Sequence, residues 1–335
     1  MGMNKYESMG QGLGESDKFV QQKNFKGLLN NENFTGYVFI STWLLGFLIF
    51  IVVPMCISFY LSFTQYNMIS KPIYVGWKNF KWLFFHDSKF KKSIFVTFYY
   101  VFTAVPLRLI FALFIAMILN RKQANTGIYR TVYYLPSIIG ASVAVAIVWR
   151  ELFGTRGLIN QFFGTFPRIH EFLGSHIKFF DDNMITFIGN TTTAMWIIIL
   201  LYMWEFGSAM LIFLAGLQNI PDMYYEAADV EGVGFFSKFF FITLPLLSPV
   251  ILFNLINQLI QGFLVFTQVF IITDGGPIDS TLVYAVYMFR RAFQFNDMGG
   301  ASAMAWMMLL VIALLTLIIF VTSKYWVYYE SKEGK

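Results

Sequence analysis

Charged residues are scarce in this chain of 335 residues. Asp, Glu, Lys and Arg supply 13% of the sequence, against about 25% in soluble domains. Apolar residues make up 57% and aromatic residues 20%, a composition that excludes a soluble domain and predicts a membrane protein. The formal net charge of +5 would suit nucleic acid, but Lys and Arg are scattered along the chain rather than grouped on one face. We therefore expect no nucleic-acid partner.

Cysteine and histidine are also rare. Cys56 is the only cysteine and lies in an apolar run, which excludes a disulfide framework, a zinc cluster and a thiol redox pair. His86, His170 and His176 are too far apart for a local metal motif, so we expect them to be solvated or packed in loops, and no metal site is predicted. The sequence also lacks a Gly-x-x-x-x-Gly-Lys-Ser/Thr phosphate loop. Any ATP must therefore be handled by another chain.

Long apolar runs dominate the rest of the sequence. The polar segment 1–36 has no signal-peptide core, so it should stay on the side of the membrane where it is made. Six apolar runs follow, each close to or above the roughly 20 residues that cross a bilayer as a helix. They predict an all-α membrane protein with six transmembrane helices in a domain 37–323, followed by a polar tail, 324–335. The predicted spans are Tyr37–Phe63, Ile94–Leu119, Val132–Trp149, Ala194–Leu217, Leu246–Ile272 and Ala301–Val321.

Three connecting segments have patterns of their own. Arg150–Asn190 mixes aromatic and charged residues with several glycines and predicts a long ordered loop. Tyr284–Phe293 predicts a short interfacial helix. Asp274–Pro277 predicts a tight turn, because its two glycines permit positive φ and its proline prevents a helix from continuing.

The segment Glu226–Pro245 is a polar, kinked interruption between the fourth and fifth predicted spans. From Pro221, which suits a first helical position, the pattern predicts a short amphipathic helix. Gly232 supplies the left-handed turn that ends such a helix, and a second apolar segment runs to Pro245. The charged face of this helix holds Asp222, Glu226 and Asp229, and the small apolar face holds Met223, Ala227 and Val230.

The spacing within this segment resembles the cytoplasmic signature of the permease subunit of bacterial ATP-binding-cassette importers. The match is carried, at every spacing, by Glu226, Ala227, Ala228, Gly232, Ile242, Leu244 and Pro245. The run Thr273-Asp274-Gly275-Gly276-Pro277 resembles the carbohydrate branch of that family, the maltose and glycerol-phosphate type. The resemblance covers residues 35–325. It implies the type I importer fold, with a cytoplasmic coupling region at 218–245.

The resemblance also implies partners and a location. In that family the helix before the glycine docks in a cleft of an ATPase subunit, which gives Glu226, Ala227, Ala228, Gly232 and Pro245 the role of coupling to the ATPase. It implies a sugar-importer subunit without catalysis of its own. The implied partners are a second homologous permease, two ATPase subunits that bind ATP and Mg, an extracellular or periplasmic solute-binding protein, a sugar or oligosaccharide, and membrane lipid.

The implied location is the bacterial cell membrane, with both termini cytoplasmic. Lysine and arginine normally mark the cytoplasmic side. Here the segments on the side of the termini carry 11 of them and the opposite loops also carry 11. The orientation therefore depends on the resemblance alone.

The fifth predicted span carries amide side chains on one face. Lipid offers amides no hydrogen bonds, so these side chains must face protein or water. One interpretation is a wall of the substrate path that binds sugar hydroxyls, with Gln258 and Gln261 favoured because related sugar permeases bind substrate at that depth. The other is hydrogen bonding between helices. The amides that share an arc of about 100° are Asn254, Asn257, Gln258, Gln261 and Gln268.

Two charged residues, Glu205 and Arg108, fall near the middle of predicted spans. An ionised group there costs at least ~2.5 kcal/mol unless it is paired or hydrated. The two can form a structural ion pair. Alternatively, Glu205 faces the path and accepts hydrogen bonds from sugar hydroxyls, with help from Tyr202, Trp204 or Ser208. Trp204 could stack on a pyranose ring, although an aromatic residue in a span commonly serves packing.

Two other classes of function stay open on the residues alone. A secondary transporter driven by an ion gradient predicts inverted repeats, broken helices and several membrane carboxylates. The sequence shows no repeat, and Glu205 is its only carboxylate in a predicted span. A membrane enzyme predicts clustered carboxylates, paired histidines or a serine elbow, and we find none of these in the sequence.

Overall fold

The computed structural model describes residues 32–120, 126–164, 179–180 and 184–328. The described chain falls into two compact units on either side of the Leu61–Ser62 bond. In the first unit, helix α1 (Glu32–Phe47), a π-helical segment (Leu48–Val52) and helix α2 (Val53–Ser62), whose last residue belongs to the second unit, follow one another without a break. The wider π turn lies just before Pro54, whose ring would clash with a carbonyl of a regular helix. This continuous helix corresponds to the first predicted span.

The described residues of the second unit are mostly helical and include two small antiparallel hairpins. Strand β1 (Thr64–Gln65) pairs with β2 (Ile73–Tyr74), and β3 (Phe179–Phe180) pairs with β4 (Met184–Ile185). The mostly helical chain confirms the predicted all-α class. The helices are α3 (Lys78–His86), α4 (Ser88–Leu119), α5 (Thr126–Ile139), α6 (Val143–Leu152), α7 (Leu158–Gly164), α8 (Thr193–Trp204), α9 (Gly207–Gln218), α10 (Asp222–Val230), α11 (Phe235–Lys238), α12 (Leu244–Phe263), α13 (Thr267–Ile272), α14 (Tyr284–Phe289) and α15 (Met298–Trp326), with further π-helical segments at Phe239–Thr243 and Arg290–Gln294.

Six regions of the described chain correspond to the six predicted spans. Four helices are long and apolar enough to cross a membrane, and the number rises to six if each of two bent helix pairs is one span. The four long helices are Phe39–Ser62, Ser88–Leu119, Phe235–Ile272 and Met298–Trp326. The last three extend beyond the uncharged run that predicted them at one end or both, because polar residues continue the backbone hydrogen bonding past the apolar stretch. Phe39–Ser62 instead lies within the predicted run Tyr37–Phe63.

The third and fourth spans are bent, whereas the sequence predicted one uninterrupted helix for each. Helices α5 and α6 meet at 94°, and α8 and α9 meet at 43°. In the third span Pro136 removes a helical donor, and Ser142 starts α6 by accepting a hydrogen bond from the Val145 amide, 3.3 Å away. In the fourth span the break falls at Glu205 and Phe206, where an acidic side chain must find a polar partner.

The connecting segments agree with prediction in part. The short helix α14 and the π-helical segment after it occupy the predicted Tyr284–Phe293. In the turn after the fifth span, positive φ occurs at Asp274 and Gly275, not at Gly276, and the Gly276–Pro277 peptide is cis. Within Arg150–Asn190 the structure places α7 and the β3–β4 hairpin. Residues 165–178 and 181–183, which include two of the three histidines, lie outside the described residues.

The core of the second unit is built around α4. This helix packs against α8, α9, α12 and α14. Its alanines Ala104, Ala112 and Ala116 are fully buried, and such small side chains allow neighbouring helices to approach closely. Tyr100 of α4 and Phe213 of α9 are among the largest fully buried side chains.

A buried ionic network fixes one end of α4. Asp87 caps this helix by accepting a hydrogen bond from the Phe90 amide at 3.0 Å, and the same carboxyl lies 2.7 Å from the Arg291 guanidinium. Arg291 also contacts Asp297, which caps α15, at 2.7 Å. Burial, and then the Asp87 carboxylate, raise the pKa of the Tyr287 hydroxyl, so it stays protonated and donates to Asp87 at 2.5 Å. The network therefore ties the starts of α4 and α15 to the segment after α14.

We expect Arg291→Ala to destabilise the protein, because it leaves the buried Asp87 carboxylate without its cation. Losing one partner of a buried ion pair should cost about 3 to 5 kcal/mol. Arg290→Ala is the matched control. Arg290 pairs with Asp274, whose side chain is 55% exposed, and also donates to the Asp274 backbone carbonyl, so its loss leaves no buried carboxylate unpaired and should cost about 1 to 2 kcal/mol. Thermal unfolding of the two purified variants should show a much lower midpoint for Arg291→Ala, and equal midpoints would contradict the prediction.

Candidate functional site

The predicted amphipathic helix is present as α10. It begins at Asp222 rather than at Pro221, because Pro221 takes an extended ψ of 134° and serves as the cap. Its end confirms the predicted left-handed glycine, since Gly232 has φ +73°. The Gly232 amide donates to the Asp229 carbonyl at 3.1 Å and the Val233 amide to the Ala228 carbonyl at 2.9 Å. These two bonds form a Schellman motif, which satisfies carbonyls that the helix end would otherwise leave free.

A third face of α10, which the sequence analysis did not identify, holds the helix on the protein. Ala228 is buried, and the Tyr225 hydroxyl lies 2.9 Å from the Thr243 hydroxyl. The charged face and the small apolar face that the sequence predicted both stay exposed. Acidic and apolar groups are therefore available side by side on this helix. The exposed residues include Met223, Glu226, Ala227, Asp229 and Val230.

The backbone continues from α10 into the long helical segment of the fifth span, which is interrupted at Leu264–Phe266. The segment Phe235–Ile272 contains α11, the π-helical segment Phe239–Thr243, α12 and α13. The π turn precedes Pro245, which cannot donate a helical hydrogen bond. Lys238 of α11 forms an ion pair with Asp229 of α10. Together with the bond between Tyr225 and Thr243, this pair connects α10 to the beginning of the fifth span.

Inside the spans, Arg108 of α4 reaches the break in the fourth span. Its side chain is buried, and its Nη2 donates to the backbone carbonyl of Glu205. The guanidinium also lies 3.4 Å from the Ser208 hydroxyl and 4.3 Å above the Tyr202 ring. The Glu205 carboxylate has a different partner, the Gln268 amide, at 3.3 Å. Arg108 thus stabilises the carbonyl that the bend frees, and the contact between the two residues is not the carboxylate ion pair considered from the sequence.

The bend of the third span lies against this acidic side chain. A Cβ atom added to Gly140 would lie only 2.4 Å from Cγ of Glu205, so the approach requires glycine. Trp149 of α6 packs on Trp204, with ring centroids 5.8 Å apart, and donates to the Ile197 carbonyl at 3.2 Å. The Trp204 ring therefore has a packing partner within the protein. Neither Gly140 nor Trp149 had a distinctive signal in the sequence.

The five amides of the fifth span are placed differently from one another. Asn254 is fully buried and donates to the Ala209 carbonyl at 3.2 Å. Gln258 is also buried, and its side-chain oxygen accepts a hydrogen bond from the Tyr202 hydroxyl at 3.1 Å. Asn257 donates to the Phe253 carbonyl of its own helix at 2.8 Å. Gln261 is exposed, and Gln268 lies beyond the break between α12 and α13.

Hydrogen bonding between helices and a role in the substrate path therefore apply to different amides of the fifth span. Asn254 and Gln258 make hydrogen bonds between helices, as the packing interpretation expects. Gln261 faces outward from the described chain and is available to a ligand or a second subunit. The continuous amide face was not found, because Leu264–Phe266 leaves regular helical geometry and rotates Gln268 toward Glu205.

Comparison with known proteins places this fold among transport proteins. The chain is 52% identical over 307 residues to the "Probable ABC transporter permease protein YesP" of Bacillus subtilis (strain 168), covering 91% of this chain and 95% of the relative. It is 30% identical over 272 residues to the "Trehalose/maltose transport system permease protein MalF" of Thermococcus litoralis, covering 81% and 87%. A chain of a bacterial ABC transporter that imports the acidic polysaccharide alginate has the same fold, with a TM-score of 0.69 and 19% identity over 90% of this chain and 98% of that one.

The family model agrees with these similarities. The model of binding-protein-dependent transport system inner membrane components matches residues 73–326, which include the bent spans, α10 and the long fifth span. The resemblance inferred from the signature around Gly232 is confirmed. This chain belongs to the family of binding-protein-dependent transport system inner membrane components.

Proposed function

We propose that this chain is the permease subunit of an ATP-driven importer for a sugar or oligosaccharide. Relatives named for the transport of starch degradation products, arabinooligosaccharides and trehalose or maltose support this substrate class. The family membership favours this function over a secondary transporter. The proposal rests mainly on the geometry of α10. This helix exposes Glu226 beside apolar side chains, and its residues Tyr225 and Asp229 contact the beginning of the fifth span.

In this proposal the chain forms half of a translocation path and has no ATPase site. A second homologous permease completes the path, and two ATPase subunits bind ATP and Mg. A solute-binding protein delivers the sugar from outside the cell. Both termini and α10 face the cytoplasm, in the cell membrane of a bacterium.

We propose that α10 transmits the movement of the ATPase. Glu226, Ala227 and the neighbouring apolar side chains dock on it, while the bond between Tyr225 and Thr243 passes displacement to the fifth span near Pro245. Ala228 holds the helix on this chain rather than on the partner. Such coupling requires that α10 interact with the ATPase with different free energies in two states.

We further propose that the substrate path runs along the exposed side of the fifth span. Gln261 contacts sugar hydroxyls directly. Asn254, Asn257 and Gln258 act as positioning residues, because each side chain already makes a hydrogen bond within the protein. Glu205, Trp204 and Ser208 belong to the same polar region and set the shape of the path at the bend of the fourth span.

Removing the exposed carboxylate of α10 should weaken attachment of the ATPase. We expect Glu226→Ala to lower co-purification of the ATPase subunits and transport by the assembled complex by about tenfold or more, since a charged hydrogen bond is worth roughly 1.5 to 3 kcal/mol. Glu231→Ala is the control, because Glu231 is also exposed but lies just beyond the helix. Membrane insertion of both variants is measured in parallel, and equal loss or equal retention would remove Glu226 from the interface.

Changing the glycine that ends α10 should act through backbone conformation alone. An added Cβ at Gly232 would meet no atom within 4 Å, so strain at φ +73° is the only penalty. We expect Gly232→Val to lose coupling of ATP hydrolysis to transport and Gly232→Asn to retain most of it, because Asn tolerates the left-handed region. Equal activity of the two variants would show that the left-handed turn is not required.

The two glutamines of the fifth span should respond differently to truncation. Gln261→Ala should reduce sugar uptake and leave complex assembly and thermal stability unchanged, because Gln261 is exposed. Gln258→Ala should lower the free energy of unfolding by about 1 kcal/mol or less, because the Tyr202 hydroxyl keeps its 3.0 Å contact with the Gln258 backbone carbonyl. Tyr202→Phe, which removes the contacts with both the carbonyl and the side-chain oxygen, should lower it at least as much. A loss of assembly in Gln261→Ala would instead indicate a contact between subunits.

A further inference from the structure

An apolar groove of about 690 Å³ lies between helices α3 and α15. Aromatic side chains of α3 and the turn before it form one wall, and aliphatic and methionine side chains of α15 form the other. Lys81 is the one charged side chain among the residues that line it. These residues are Trp77, Phe80, Lys81, Phe84, Phe85, Met307, Leu310 and Val311.

The groove extends along a membrane span. Met307 and Val311 follow the first residue of α15, Met298, by 9 and 13 positions, which places them about 14 to 20 Å along the helix axis. Leu310, between them, is 63% exposed, and Phe85 on the opposite wall is 74% exposed. Because α15 is long and apolar enough to cross a membrane, the floor of the groove lies at the depth of the hydrocarbon and is open to it.

Helix α3 lies at the end of two spans, where a membrane surface would be. It directly precedes Asp87, the cap of α4, and the Trp82 ring packs 4.3 Å from the guanidinium of Arg291, which also binds Asp297 at the start of α15. The ionic network therefore holds α3 beside the first turns of α4 and α15. A lipid in the groove would place its headgroup near the first turns of α4 and α15.

The cations of α3 have no acidic partner among the described residues. Lys78 and Lys81 are exposed and three positions apart, so they lie on one face of the helix. The acids nearby are already engaged: Asp87 and Asp297 with Arg291, and Asp279 with Lys89 at 3.6 Å. Lys81 lines the apolar groove, and Lys78, one turn earlier on the same face of the helix, lines the polar pocket beside Trp82. Together these two ammonium groups match a phosphate joined to a long alkyl chain.

We propose that this groove binds one acyl chain of an anionic phospholipid, whose phosphate is held by Lys78 and Lys81. The site is built from α3 and α15, at a distance in sequence from α10 and from the amides of the fifth span. Its occupancy does not depend on sugar transport. The proposal therefore stands or falls separately from the proposed function.

The test uses the full-length chain in phosphatidylcholine nanodiscs that contain a small fraction of phosphatidylglycerol with a diazirine in its acyl chain. After illumination, peptide mass spectrometry should locate the label on residues 77–85 and 307–311. The double variant Lys78→Gln/Lys81→Gln should lower labelling there by at least about tenfold. Lys91→Gln, an exposed lysine of α4 outside the groove, is the matched control and should retain labelling. Leu310→Trp, which fills the groove and keeps both lysines, should also block it.

Competition experiments distinguish the possible occupants of the groove, which are a phospholipid, a soluble phosphate and another protein subunit. Replacing phosphatidylcholine by unlabelled phosphatidylglycerol should displace the label, whereas free glycerol phosphate should not. Displacement by free glycerol phosphate would indicate a site for soluble phosphates, and equal labelling of the double lysine variant would remove charge recognition. Protection of both segments by a second copy of this chain or by another permease would assign the groove to a protein interface. Each of these three results overturns the proposal.

Discussion

A hydrocarbon environment offers no hydrogen bonds, so every interruption of a membrane helix must find its partners inside the protein. The contact between Arg108 and the Glu205 carbonyl meets this requirement at the bend of the fourth span. Because of this contact, the bend between α8 and α9 leaves no unpaired carbonyl at Glu205. The Glu205 carboxylate accepts a hydrogen bond from the Gln268 amide instead. The bend of the third span fits against the same residue because Gly140 has no side chain. The polar centre of the molecule thus depends on one buried guanidinium.

The fifth span joins this centre to α10. Thr243, which contacts α10, and Gln258, which contacts Tyr202, are 15 residues apart on a helix, a distance of about 22 Å. The α-helix Leu244–Phe263, which contains Pro249, joins the two contacts along one continuous helical segment. In the proposed mechanism a push on α10 therefore reaches the polar centre directly. The break after Phe263 lets the last part of the span turn its amide toward Glu205.

At the other end of the spans, ionic contacts hold the first turns of α4 and α15 together. Asp87 and Arg291 connect α4 to α15, and the Trp82 ring extends the contact to α3. These contacts help to hold α3 beside α15 and so contribute to the apolar groove. The same network thereby stabilises the fold and creates a surface suited to lipid.

The sequence by itself determined the class of the protein, its apolar runs and the signature around Gly232, because composition, run length and residue spacing are local properties. It also predicted the left-handed end of α10, which needs only a glycine at one position. The tertiary structure alone decided that Arg108 donates to the Glu205 backbone carbonyl rather than to its carboxylate. It also decided that Gln258 accepts a hydrogen bond while Gln261 is exposed, and that the Glu205 side chain packs against Gly140. Periodicity shows which residues share a face of a helix, but the neighbour that covers that face comes from distant parts of the chain, and only packing brings them together.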